Sequence, residues 1–317
     1  EGTVFMPVTT PQQKIDKTRA FGGGAVEIVL TGDYFDQTLA AAQAFCAERG
    51  AQFLSPFDDP DVIEGQASVA VEILDQLEGV DSILVAIGGG GLAAGVAVAA
   101  KLKAQAQGRK IKIIGVQSAN AASYVPSIKS GKVTQIATKP TIADGIAVAK
   151  PGQIPFELIK THIDKVVTVT DDDIAKAIVT LLERSKLVVE PAGAVTVAAL
   201  MTGAFKPKGR TVAVLSGGNF DPLLMQKVIG HGLVASDRYV TISVMLPDRP
   251  GMLVKTAEAI ASAHGNVVEV LHTRHGDDFD ISEVELRVSV ETTGAEHSQR
   301  VLKALNDAGL KARVAKN

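Results

Sequence analysis

Four consecutive glycines constrain this chain more than any other feature. The stretch DSILVAIGGGGLAAGVAVAAKL, residues 81–102, runs from a short apolar segment through Gly88, Gly89, Gly90 and Gly91 into an alanine- and valine-rich helical pattern. Glycine loses more backbone entropy on folding than any other residue, and four in a row exceed what tight packing alone would ask for. A strand, a glycine turn and a helix N-terminus together make an anion site, because unpaired N–H groups converge there and the helix dipole favours negative charge. The expected ligand carries a phosphate. Gly88, Gly90 and Ala93 also satisfy the loose dinucleotide fingerprint, which asks for an acidic residue about twenty positions further on. The next strand, IKIIGVQ, ends in Gln117 instead.

Strands and helices alternate along most of the chain. TVFMPV, AVEIVLTG, SILVAIG, IKIIGVQ, KVVTVT and GRTVAVLSGGN read as strands, with amphipathic helices such as DDPDVIEGQASVAVEILDQLEG and DDDIAKAIVTLLERSKL between them. Short β-rich runs separated by helices predict parallel sheets with both faces covered. Ligands bind such sheets at the carboxyl ends of strands, and Gly88–Gly91 and the SGGN segment at 216–219 both fall there. The pattern changes near Asp237. From there the order is strand, helix, strand, strand, helix, strand, with alternation suited to a sheet open to water on one face. Two domains are expected, 1–236 and 237–317.

Composition narrows the function classes. A net charge of −3 without any basic run argues against nucleic acid or an anionic membrane as partner. No apolar stretch is long enough to span a bilayer, and no signal peptide is apparent, so a cytoplasmic protein is expected. Cys46, the single cysteine, sits in a helical run and reads as a buried or half-buried core residue.

The segments GGGGLAAGVA, TIADGIAV, LLERSKLVVEPAGAV and AVLSGGN, in this order, resemble the threonine/serine dehydratases among the pyridoxal-phosphate enzymes. TPQQKIDKTRAFGG and PFDDPDVIEGQASVAVEIL fit the same group, and LPDRPGML with GNVVEVLHTR resembles an ACT regulatory domain. The resemblance implies an α/β chain. It would be a partial tryptophan-synthase-β-like (type II) pyridoxal-phosphate fold, followed by a ferredoxin-like α+β domain. It further implies β-elimination and deamination of threonine to 2-oxobutanoate and ammonia, with serine as a secondary substrate. Gly88–Gly91 with Leu92 would cradle the cofactor phosphate, Ser216 would face the pyridine nitrogen, and Gly145 and Glu190 would lie beside the ring. A plainer reading of Glu190 is an acid stabilised by the N-terminus of the helix PAGAVTVAALM.

Two departures from the family pattern matter. The resemblance implies an activating cation site at Gln117, Ala121 and Ser123, but two of the family's carboxylates are absent. Hard divalent cations want charged oxygens, which leaves at most a weak monovalent site. The Schiff-base lysine motif and the loop that binds the substrate carboxylate do not occur either. Lys14 and Lys17 match surface positions of the family, so the lysine is expected upstream of Glu1 and the chain alone is expected to be inactive.

In the tail, Asp248 and Arg249 offer both charges, while Pro250, Gly251, Met252 and Leu253 open a helix. That loop is the expected site for an amino-acid effector, with Asn266 as a further polar contact. The plain alternative is that Asp248 caps the helix. ACT-type domains usually pair between chains, so a homo-oligomer is expected. An NAD-dependent oxidoreductase, a serine dehydratase or racemase, and a non-catalytic amino-acid sensor are the competing readings.

Overall fold

The computed structural model describes residues 1–235, 237–274 and 282–315. The chain opens with β1 (Gly2–Met6), α1 (Gln12–Gly22), β2 (Val26–Leu30) and α2 (Phe35–Arg49), and β1 pairs with β2 in parallel. Next come α3 (Pro60–Gln76), β3 (Val80–Ala86), α4 (Gly91–Ala106), β4 (Lys112–Ser118) and α5 (Tyr124–Ser130). They are followed by α6 (Gln153–His162), β5 (Lys165–Val169), α7 (Asp171–Thr180), α8 (Pro191–Met201), β6 (Arg210–Ala213) and α9 (Pro222–Ala235). β5, β4, β3 and β6, in that order, form a parallel four-stranded sheet.

Burial explains the apolar strands. In β3, Ile83, Leu84 and Val85 are all fully buried, because helices cover both faces of the sheet. One core packs α3, α4 and α6 against one face; the other packs α7 and α8 against the opposite face. Local chemistry sets the helix ends. Asp59 accepts from the Asp61 and Val62 amides to cap α3, with Pro60 in the first turn. Thr170 and Asp173 form a reciprocal capping box on α7. The expected long helix after DDD is real but changes winding, passing at 181–185 into a π-helical turn that ends on Lys186 with φ +58°.

The tail folds as β7 (Tyr239–Pro247), α10 (Met252–Ser262), β8 (Asn266–Thr273), β9 (Glu283–Glu291), α11 (Ala295–Asp307) and β10 (Lys311–Val314). Its antiparallel sheet has the order β10, β7, β9, β8. β7 and β9 alternate as expected, with Ile242, Val244, Leu286 and Val288 beneath the helices. β8 does not alternate. As an edge strand it leaves even Val268 and Leu271 exposed, at 51% and 57%.

Candidate functional site

The glycine loop leaves the carboxyl end of β3 and opens α4, with Gly90 as N-cap at φ +108°. The amides of Gly91, Leu92 and Ala93 have no carbonyl within their own helix to bond. The glycines answer to packing more strictly than their sequence suggests. A Cβ on Gly89 would run into the Phe57 ring and one on Gly90 into Tyr124 Oη; at Gly88 and Gly91 it would lie 3.0 Å from Ile146 Cα and Phe57 Cα. Packing therefore accounts for all four, which corrects the sequence argument from their number. What still marks an anion site is the unpaired helix N-terminus.

Several distant segments hold the loop. Gly89 O accepts from Gly152 N at 3.0 Å and from Tyr124 Oη at 2.9 Å. Burial, and secondarily Asp58, pushes the Tyr124 phenol far above its ordinary value, so it remains a neutral donor. Asp58 accepts from the Gln153 and Ile154 amides at 2.9 Å each, which caps α6 from 95 residues away. Sequence reasoning missed Phe57, Asp58 and Tyr124.

The other expected cofactor residues gather beside the loop, because β3 and β6 are neighbours running the same way. Gly145 lies in the 3₁₀ turn Asp144–Ile146, and Ile146 packs under Gly88. A Cβ on Gly145 would be 3.2 Å from Ala192 Cβ and 4.0 Å from Glu190 Oε1. Glu190 N donates to Gly217 O at 3.1 Å, and a Cβ on Gly217 would run into Glu190 Oε1. Ser216, next in chain, is exposed at the rim. Lys17 Nζ, on α1, donates to Asn219 Oδ1 at 2.8 Å, which brings that exposed lysine to the edge of the same group.

Glu190 is the N-cap of α8 but makes no side-chain capping bond. Burial, and then the negative charge of Asp144, raises its pKa above the ordinary carboxylate range; the Asn219 amide and Lys14 pull the other way more weakly. A helix dipole would lower it, so at the N-cap of α8 burial and Asp144 outweigh that effect. The protonated form is the one the fold favours. Folded-state stability from this group is therefore present at low pH and lost as pH rises through the raised pKa. Glu190→Gln keeps the shape without the charge. Its melting temperature, measured without cofactor from pH 4 to 8, should gain on wild type as pH rises; a constant difference would show that Glu190 does not titrate in this way.

Gln117, Ala121 and Ser123 come together, but as a hydrogen-bonded group without a carboxylate. Among the described residues no group of three or more His, Cys, Asp or Glu side chains could hold a metal ion. In the tail, Gly251 at φ +88° is the N-cap of α10, so Asp248 does not cap it. Asp248 instead faces Arg274 at 3.6 Å on the surface. Within one chain Asn266 is not near that loop. It pairs with Glu291, itself opposite Tyr239, whereas Pro247 and the loop lie at the Glu283 end of the same sheet. The expected grouping of Asn266 with residues 248–253 is thus not formed inside one copy.

A glycine-capped helix N-terminus, a neutral-leaning acid and a serine at adjoining strand ends fit a phosphate-bearing cofactor with an electron-accepting ring. Residues 1–217 match the family model described as "Pyridoxal-phosphate dependent enzyme", and 240–310 match the ACT domain. The chain belongs to this pyridoxal-phosphate-dependent enzyme family and carries an ACT domain after it. It is 45% identical to the L-threonine ammonia-lyase of Geobacter sulfurreducens over 99% of this chain and 77% of that one. It is 39% identical to the L-threonine ammonia-lyase of Thermotoga maritima over 98% and 76%. Among solved structures it resembles the processed form of threonine deaminase isoform 2 from Solanum lycopersicum. That match has a TM-score of 0.66 and 37% identity, covering 72% of this chain and 66% of that one. Maize serine racemase gives 0.65 and 29%, covering 72% and 69%. No helix of the described residues is long and apolar enough to cross a membrane.

Proposed function

We propose that this chain is the bulk of a pyridoxal-phosphate-dependent L-threonine ammonia-lyase that yields 2-oxobutanoate and ammonia, with L-serine to pyruvate as a slower reaction. The observation that carries the reading is the convergence of the glycine loop, Gly145, Glu190 and Ser216 at one end of a parallel sheet. Two relatives of the same name match nearly the whole chain. The catalytic unit would be residues 1–236 and the regulatory unit 237–317.

When bound, the cofactor supplies an electron-accepting ring and a phosphate. The amides of Gly88–Leu92 and the dipole of α4 would hold the phosphate charge. Ser216 would offer the ring nitrogen a neutral hydroxyl instead of a carboxylate, which would leave the ring a moderate electron acceptor. That suits an elimination, in which a leaving group departs and no long-lived carbanion must be stored. Burial and the Asp144 charge raise the Glu190 pKa beside Gly145, which disfavours a second negative charge near the ring. The Schiff-base lysine is no residue of 1–317 in this proposal. Incubating the holoenzyme with L-threonine and with L-serine tests the reading: 2-oxobutanoate should form faster than pyruvate. D-serine as the main product would instead favour a racemase.

The tail would bind an amino acid and pair with a second copy. β8 is a free edge with exposed valines and Leu271, and such edges are templates for pairing. An antiparallel pairing of two β8 edges brings Asn266 of one copy toward the 248–253 loop of the other, which the register forbids within one copy. Nothing lies within 4 Å of a Cβ on Gly251, whose φ is +88°. Gly251→Asp therefore places a carboxylate at the mouth of α10 without a clash, at a backbone cost that Gly251→Ala shares and so controls for. Calorimetric titration of the holoenzyme with isoleucine, valine and threonine should show binding weakened about tenfold or more by that change. Unchanged affinity would remove the loop from the effector site.

A further inference from the structure

Gln117, next to last in β4, lies inside the protein, 0% exposed. A buried carboxamide must place two N–H donors and one carbonyl oxygen. Its Oε1 accepts from Tyr124 N at 2.9 Å, and this contact orients the group, because a backbone N–H can only donate. Nε2 is thereby turned to two main-chain carbonyls, Ile87 O at 3.3 Å and Ala121 O at 3.4 Å. One side chain thus ties the end of β3, the 3₁₀ turn Ala119–Ala121 and the start of α5. Tyr124 carries the link onward through its hydroxyl bond to Gly89 O. The glycine loop is braced from behind by a carboxamide.

This arrangement does not suit a cation. Hard cations gather oxygen lone pairs, preferably charged ones, and here N–H groups point at Ala121 O, a carbonyl of the expected set, and at Ile87 O. Gln117 Oε1 is already committed to Tyr124 N. Ser123 Oγ, buried without a partner, is the one remaining side-chain oxygen of the expected set. An ion would have to expel Nε2 and hold on with neutral oxygens alone.

We propose that the Gln117 carboxamide stands in the place of a cation, acting as a positioning residue for the glycine loop, so that cofactor affinity and fold stability are independent of monovalent and divalent cations. The proposal rests on the reading of that loop as the phosphate cradle. Its test is a titration of holoenzyme, stripped of cations with chelator in tetramethylammonium buffer, with K⁺, Na⁺, Mg²⁺ and Ca²⁺. Pyridoxal-phosphate affinity and melting temperature are both read. For wild type, affinity should change by less than about twofold and the melting temperature should not move. Gln117→Glu should lose about tenfold in cofactor affinity without cations and recover it with Mg²⁺ or Ca²⁺, since a carboxylate then faces Ile87 O and Ala121 O. Gln117→Leu should lose a similar factor with no cation rescue.

Wild-type affinity or melting temperature that rises with a cation, and no longer does so in Ser123→Ala, would overturn the proposal. So would Gln117→Glu that no cation rescues, or Gln117→Leu with wild-type affinity. If the loop is not the cradle, Gly90→Asp would keep its cofactor. The melting arm would still report on Gln117 in that case, so the two failures are distinguishable.

Discussion

The Gly90→Asp enzyme is expected to purify without pyridoxal phosphate. Gly90 caps α4 at φ +108°, a region that costs an ordinary residue about 1–2 kcal/mol. Its added Cβ would run into Tyr124 Oη and lie 2.8 Å from Pro155 Cβ. The side chain starts toward Tyr124 and Pro155, so it must push the loop out of shape. It also adds a negative charge at the same helix N-terminus as the phosphate, and two like charges about 4 Å apart repel by about 4 kcal/mol at a near-surface dielectric. Together these lower affinity by about a thousandfold or more. Gly90→Ala carries the strain and the contact without the charge, so the difference between the two variants isolates electrostatics. Gly108→Asp, at φ +66° with nothing within 4 Å of its Cβ, controls for the backbone cost and should keep its cofactor. A folded Gly90→Asp protein with one cofactor per chain would mean that the phosphate binds elsewhere.

Gly95→Ala is expected to destabilise the fold although alanine is the better helix former. In an open helix the exchange would gain about 1 kcal/mol. Here α4 crosses α3 so closely that the new Cβ would run into Ile63 O and lie 2.8 Å from Ala67 N. Backbone atoms cannot rotate away, so the helices must part. Overpacking of this kind costs about 1–3 kcal/mol or more, and a main-chain contact belongs at the upper end. The net loss, about 2 kcal/mol, should lower the melting temperature by about 5 °C for a domain of this size. Because α4 carries the glycine loop, cofactor affinity should fall with it. A melting temperature at or above wild type would show that helix propensity outweighs the contact.

The fold was legible because each element of the catalytic sheet carries its own signal. β3 is apolar from Ile83 to Ala86 since helices cover both faces of the sheet, and Asp59-Pro60 announces α3 by local chemistry alone. The tail was readable for the same reason, except at β8, whose exposure follows from its place at the sheet edge. The candidate site was legible only where its residues stand in contiguous motifs. Phe57, Asp58 and Tyr124 look like loop and helix residues, and their roles come from contacts spanning 35 residues in one case and 95 in another. Gln117 shows how a sequence can mislead in both directions. It lacks the acid of a ribose-binding strand and of a cation site, yet it is buried and fully engaged. Nothing in the local sequence tells a buried carboxamide brace from a solvated glutamine.

The central claim is that the phosphate of the cofactor sits on the amides that open α4. The most direct measurement is a crystal structure of the holoenzyme. The account predicts phosphate oxygens within about 3 Å of the backbone nitrogens of Gly88–Leu92, with Ser216 at the ring nitrogen. A phosphate seated at another helix N-terminus, such as that of α8 behind Glu190, with the glycine amides left to water, would contradict it.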